Sequence, residues 1–93
     1  MKNNIVGKQV VVTRGVMNIM QDNKRFSQEV TNAFCRFCGA DWGDMCEEDK
    51  QMNNNALNGS DRIVAKYCLS EDNIYIITEW DRSVTTILLC DEY

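Results

Sequence analysis

Apolar residues fall into short groups along this chain, and their spacing changes from helical to alternating in its last third. Val10, Val11 and Val12, within Lys8 to Thr13, predict a short buried strand. Gly15 then opens a short amphipathic helix with Val16, Ile19 and Met20 on its apolar side, and Asn23 is placed to cap the next helix. From Arg25 to Cys38, the helical spacing of Phe26, Val30, Ala33, Phe34 and Phe37 marks one face as core, and Gly39 is a natural stop. Asp44 followed by Glu47 has the form of a capping box, which predicts a third helix to about Leu57, ended by Gly59.

The period then shortens. Asp61 to Cys68, Asn73 to Glu79 and Ser83 to Cys90 are β-branched and aromatic runs separated by polar turns, the pattern of a three-strand meander. Helices come first and strands last, so the expected class is α+β. About three helices should pack on one face of a small antiparallel sheet, with the first strand joining it. A length of 93 residues, without repeat, proline or Gly/Ser linker, predicts one domain over residues 1–93 with a single modest core.

Charge and residue inventory narrow the chemistry. The formal net charge is −4, with Asp44, Glu47, Glu48 and Asp49 close together and the ten Lys and Arg residues scattered. Phosphate backbones need a basic stripe, so direct nucleic-acid binding is not expected, and a basic protein partner fits better. Equally, such charges serve simply to keep a small protein soluble. Histidine is absent, which removes Ser-His-Asp and Cys-His nucleophiles, HExxH metalloproteases and histidine-ligated catalytic metals. An enzyme is therefore not expected. No apolar run is long enough for a signal peptide or a membrane span, so a cytoplasmic location is expected.

In a reducing compartment, five cysteines are read as metal ligands, redox groups or buried thiols before disulfides. Cys35 and Cys38 form a C-x2-C pair at a helix end. Pairing about the two meander turns sets Cys68 opposite Asn73 and Asn73 opposite Cys90, which brings Cys68 and Cys90 to one end of the sheet. Four thiolates, Cys35, Cys38, Cys68 and Cys90, would hold a structural zinc, while inert buried thiols explain the same residues without a metal. Thiol redox chemistry is the weakest reading, because a reactive C-x-x-C opens a helix instead of closing one. Cys46, among four carboxylates, is read as structural. In the second meander turn, Trp80 and Asp81, with Glu79 and Arg82, form either an exposed binding cluster or a plain hairpin turn.

The run from Ile74 through Thr78-Glu79-Trp80-Asp81-Arg82-Ser83-Val84-Thr85-Thr86 to Leu88, closed by Asp91-Glu92-Tyr93, resembles the carboxyl-terminal signature of a family of small phage and plasmid proteins. Val12-Thr13-Arg14-Gly15-Val16, Asp41-Trp42-Gly43 with Glu47-Glu48-Asp49, and Gly59 with Asp61-Arg62-Ile63 resemble its other landmarks in order, covering nearly the whole chain. Members described as type I restriction subunits offer no guide, since this sequence has neither a cofactor-binding glycine motif nor a methyltransferase or nuclease core. The resemblance extends to a metal-containing, phage-encoded anti-CRISPR of the type II-A class, which binds the CRISPR effector nuclease and prevents target DNA loading. It implies a non-catalytic inhibitor; the acidic residues Asp44, Glu47, Glu48 and Asp49 and the turn residues Trp80 and Asp81 are the expected partner contacts. Relatives carry other residues at Cys35, Cys38 and Cys68 and a proline at Cys90, so those four thiols look specific to this chain. The alternative is a zinc-stabilised adaptor or regulator of host transcription or restriction machinery.

Overall fold

In the computed structural model, which describes residues 5–59 and 61–93, the elements run β1 (Gln9–Val12), α1 (Arg14–Asp22), α2 (Lys24–Cys38), α3 (Glu47–Ala56), β2 (Ile63–Cys68), β3 (Asn73–Thr78) and β4 (Val84–Leu89). A short 3-10 turn, Cys90–Glu92, follows. The fold is α+β, as the segregated pattern predicts. Strands β2, β3 and β4 form the antiparallel meander, in the expected register of Cys68 with Asn73.

The first strand departs from expectation in two ways. It pairs parallel to β4, Val12 with Ile87, so the sheet is mixed and its order is β1-β4-β3-β2. It is also an edge: Val10 and Val11 are 45% and 40% exposed. Three consecutive valines look buried in a sequence, but an edge strand covers little of either of its faces.

Helix starts follow their caps. The Thr13 hydroxyl accepts from Val16 N–H at α1, and the Asn23 side chain accepts from Phe26 N–H at α2. At α3 the expected capping box is absent. Cys46 is the N-cap residue and its side chain makes no cap hydrogen bond, while the Asp44 carboxylate is used elsewhere, accepting the backbone N–H of Cys68 at 2.9 Å.

One core joins the helices to the inner sheet face. Val16, Phe26, Val30, Ala33, Phe37, Trp42 and Ala56 pack against Ile63, Ala65, Tyr67, Ile74, Ile76 and Ile87. Alternation sends Val64, Lys66 and Tyr75 to the outer face. Beside this core a buried hydroxyl relay ties the amino-terminal segment down. Thr78 Oγ1 lies 2.6 Å from the Ile5 carbonyl and 2.7 Å from Thr85 Oγ1, which in turn accepts from Gly7 N–H. Since Thr78 spends its one proton on Ile5, Thr85 is the donor between the two threonines.

The free edge of β2 is closed by the α2–α3 segment. Gly43 makes a parallel bridge to Lys66, and Asp44 N–H donates to the Lys66 carbonyl at 2.7 Å. Gly43 has φ +77°, and a Cβ there would collide with the Lys66 carbonyl and lie 2.6 Å from the Tyr67 ring, so only glycine fits. Further along, the buried Asn53 side chain acts as a surrogate strand: Nδ2 donates to Val64 C=O at 2.8 Å and Oδ1 accepts Val64 N–H at 3.2 Å.

Candidate functional site

Because α3 is held at the β2 edge, it stands as a wall over the outer sheet face and leaves a groove of about 640 Å³. Met45, Asp49 and Met52 line it from α3 and the segment before it, Asp61 and Arg62 from the α3–β2 connection, Val64, Lys66 and Tyr75 from the sheet, and Tyr93 from the carboxyl-terminal end. Tyr75 and Tyr93 meet at 5.2 Å between ring centroids. The Arg62 guanidinium lies 5.8 Å over the Tyr93 ring, donates to its hydroxyl at 3.0 Å and stands 3.7 Å from a Glu79 carboxylate oxygen.

Acidic residues gather at the α3 end of the groove. Glu47, Glu48 and Asp49 occupy the first turn of α3, where the helix dipole favours them, and all three are exposed. Among the described residues, neither they nor Asp44 and Asp61 enter an ion pair. Behind α3, Asp41 is held below the usual carboxylate range by the Arg36 guanidinium, at 2.9 and 3.3 Å, with Gly43 N–H assisting. Tyr67, whose hydroxyl donates to the Asp41 carbonyl at 2.6 Å, is pushed well up by burial, with the Asp41 charge adding to it.

The other expected contacts lie beyond the far end of α3. Trp80 is 60% exposed in the β3–β4 turn, about one helix length, ~15 Å, from the acidic turn. Asp81 is used within its own turn: Ser83 holds its carboxyl low through side-chain and backbone hydrogen bonds, the latter at 3.0 Å. Arg82, at φ 60°, fixes this turn to the end of α3 by donating to the carbonyls of Ala56 at 2.8 Å and Asp61 at 2.7 Å. The acidic turn and Trp80 therefore lie at opposite ends of α3 instead of forming one patch.

The cysteines fall into two pairs. Cys35 and Cys38 close α2 on the helix side of the sheet, near Tyr67, while Cys68 and Cys90 lie near each other on the outer side, by Lys66. Burial raises the thiol pKa of both Cys38 and Cys90. As placed, each pair offers two thiols, and among the described residues no group of three or more Cys, Asp and Glu side chains is set to hold a metal ion. Cys46 stands apart at the groove's rim.

Several groove residues carried no signal of their own. Val64, Lys66 and Tyr75 were identifiable as outward strand positions, but Met45, Met52, Arg62 and Tyr93 become a wall only once α3 is docked on β2. Comparison with family models, curated proteins and solved structures found no match. No helix among the described residues is long and apolar enough to cross a membrane.

Proposed function

We propose that this protein is a non-catalytic, stoichiometric inhibitor that docks its acidic α3 face on a basic surface of a type II-A CRISPR effector nuclease and keeps target DNA out. The observation that carries this reading is the α3 wall: exposed carboxylates that enter no ion pair among the described residues, beside a groove with an aromatic side. Such a surface repels nucleic acid and suits a protein surface evolved to hold phosphates. Occupancy of a positively charged channel blocks guide-directed DNA entry without any chemistry by the inhibitor. The resemblance of the Ile74 to Leu88 run, closed by Asp91-Glu92-Tyr93, to a family of small phage and plasmid proteins that includes a type II-A anti-CRISPR supplies the choice of partner. Trp80 adds an exposed aromatic anchor of the kind that dominates interface energies.

Affinity purification on the tagged protein, from lysate containing a guide-loaded effector, tests the partner. Recovery of the effector supports the proposal, and recovery of a transcription or restriction component instead favours the adaptor reading. A structural zinc on Cys35, Cys38, Cys68 and Cys90 is a separate proposal, and the placement of the pairs means that one of them would have to swing round the end of the sheet. Elemental analysis of protein purified without added zinc tests it. Zinc retained in Cys46→Ser and lost in Cys90→Ser supports the four-thiolate set, and metal-free protein refutes it.

A further inference from the structure

The groove beside α3 is divided in its chemistry. Met45, Met52, Tyr75 and Tyr93 give it apolar and aromatic walls, while the carboxylates of Asp49 and Asp61 stand on it without an ion-pair partner among the described residues. Asp44 adds a third carboxylate. Of the two cations in the lining, Arg62 is engaged by Glu79 and Tyr93, which leaves Lys66 alone against three negative charges. Arg62 also demonstrates what the aromatic wall accepts: a guanidinium over the ring face with an N–H directed at the tyrosine hydroxyl.

A ligand that suits both halves has a long apolar stem ending in a planar cation. Its methylenes would lie on the methionines and tyrosines, and its head would reach a carboxylate in paired hydrogen bonds. We infer that the groove seats an arginine-bearing, extended segment of the partner protein, with Asp49 and Asp61 receiving guanidinium groups and Tyr93 with Met52 packing against the stems. This rests on the inhibitor reading and specifies where the basic partner is gripped. It also assigns the pocket a ligand class that excludes phosphates and carboxylates.

The test titrates a blocked Arg-Leu-Arg tripeptide into 15N-labelled protein and follows the backbone amides, with a blocked Glu-Leu-Glu tripeptide as counter-probe. The expected result is saturable shifts at Asp49, Asn53, Asp61 and Tyr93, none with the acidic probe, and a dissociation constant raised at least about tenfold in Asp49→Asn/Asp61→Asn. Tyr93→Ser, with an otherwise dispersed spectrum, should weaken binding as well, whereas Glu71→Gln, outside the groove, should not. Shifts spread over every acidic patch, equal weakening by Glu71→Gln, or binding of the acidic probe would overturn the assignment. The same double variant separates this inference from the inhibitor reading. If it loses the tripeptide yet inhibits the effector fully, the groove is not the grip; if wild type binds the tripeptide in the groove but ignores the effector, the grip stands and the inhibitor reading falls.

Discussion

Asn53→Asp changes one atom of the side chain that closes the β2 edge, and its cost follows from that exchange. Asn53 is 5% exposed and serves Val64 twice, as donor to its carbonyl and acceptor from its N–H. The aspartate keeps the acceptor but turns the donor into a second oxygen facing the Val64 carbonyl. Orphaning that carbonyl and desolvating the new charge should together cost about 3 kcal/mol at pH 7, moderated by water in the adjoining groove. With a urea m-value of about 1.2 kcal/mol/M for a domain of this size, the unfolding midpoint should fall by about 2.5 M. Burial and the facing carbonyl raise the folded-state pKa of the new carboxyl above its unfolded value of about 3.9. The penalty relative to wild type is therefore small below that unfolded value, where the protonated acid donates to Val64 as the amide did. It grows as pH rises through the folded-state pKa. Urea titrations at pH 4 and pH 7 read by tryptophan emission suit the purpose, because buried Trp42 donates its indole N–H to Asn54 of the same helix at 2.9 Å. A midpoint within about 0.3 M of wild type at pH 7, or a penalty identical at both pH values, would refute the strand-surrogate role of Asn53.

Other expectations follow from particular contacts. Glu92 is held low first by the Thr13 hydroxyl, at 2.6 Å, then by the backbone N–H of Leu89, at 2.8 Å, so its contribution is present above the unfolded value of about 4.3 and lost as pH falls through the lower folded-state pKa. Glu92→Gln should consequently show a shallower acid limb in stability measured from pH 5 downward. In chelator-treated protein at pH 8, exposed Cys35, Cys46 and Cys68 should alkylate faster than half-buried Cys38 and Cys90, as timed mass spectrometry would show; uniform rates would contradict the burial of one thiol in each pair. Trp80→Ala should leave the urea midpoint nearly unchanged, since the ring is exposed, while weakening effector binding by about 2 kcal/mol, or roughly 30-fold by calorimetry.

Much of the fold was legible because local patterns agreed with it. The apolar spacing from Phe26 to Phe37 gave α2, and the polar turns set the meander register that brings Cys68 and Cys90 to the same sheet end. What escaped was non-local. Parallel pairing of β1 with β4 joins residues more than seventy positions apart, which periodicity does not report. Asn53 sits in a run of three asparagines that reads as solvated, and its burial makes sense only against the open edge of β2. The acidic turn was plain from composition, but the groove was not, since its walls come from α3, β2, β3 and Tyr93. Residues that carry the family resemblance prove in several cases to hold the architecture. Trp42 binds Asn54, Gly43 closes on Lys66, Arg82 fastens the last hairpin to α3, and Glu92 latches Thr13. Asp81, expected as a contact, is exposed but spends hydrogen-bonding capacity on Ser83, and Trp80 is the exposed large apolar side chain of that turn.

The central claim is inhibition by occupancy, and a gel-shift titration addresses it most directly. A guide-loaded type II-A effector nuclease is incubated with increasing amounts of this protein before labelled target DNA is added. Loss of the shifted complex at near-stoichiometric protein, with cleavage lost in parallel, is the predicted result; an unchanged shift and unchanged cleavage across several such nucleases would contradict it.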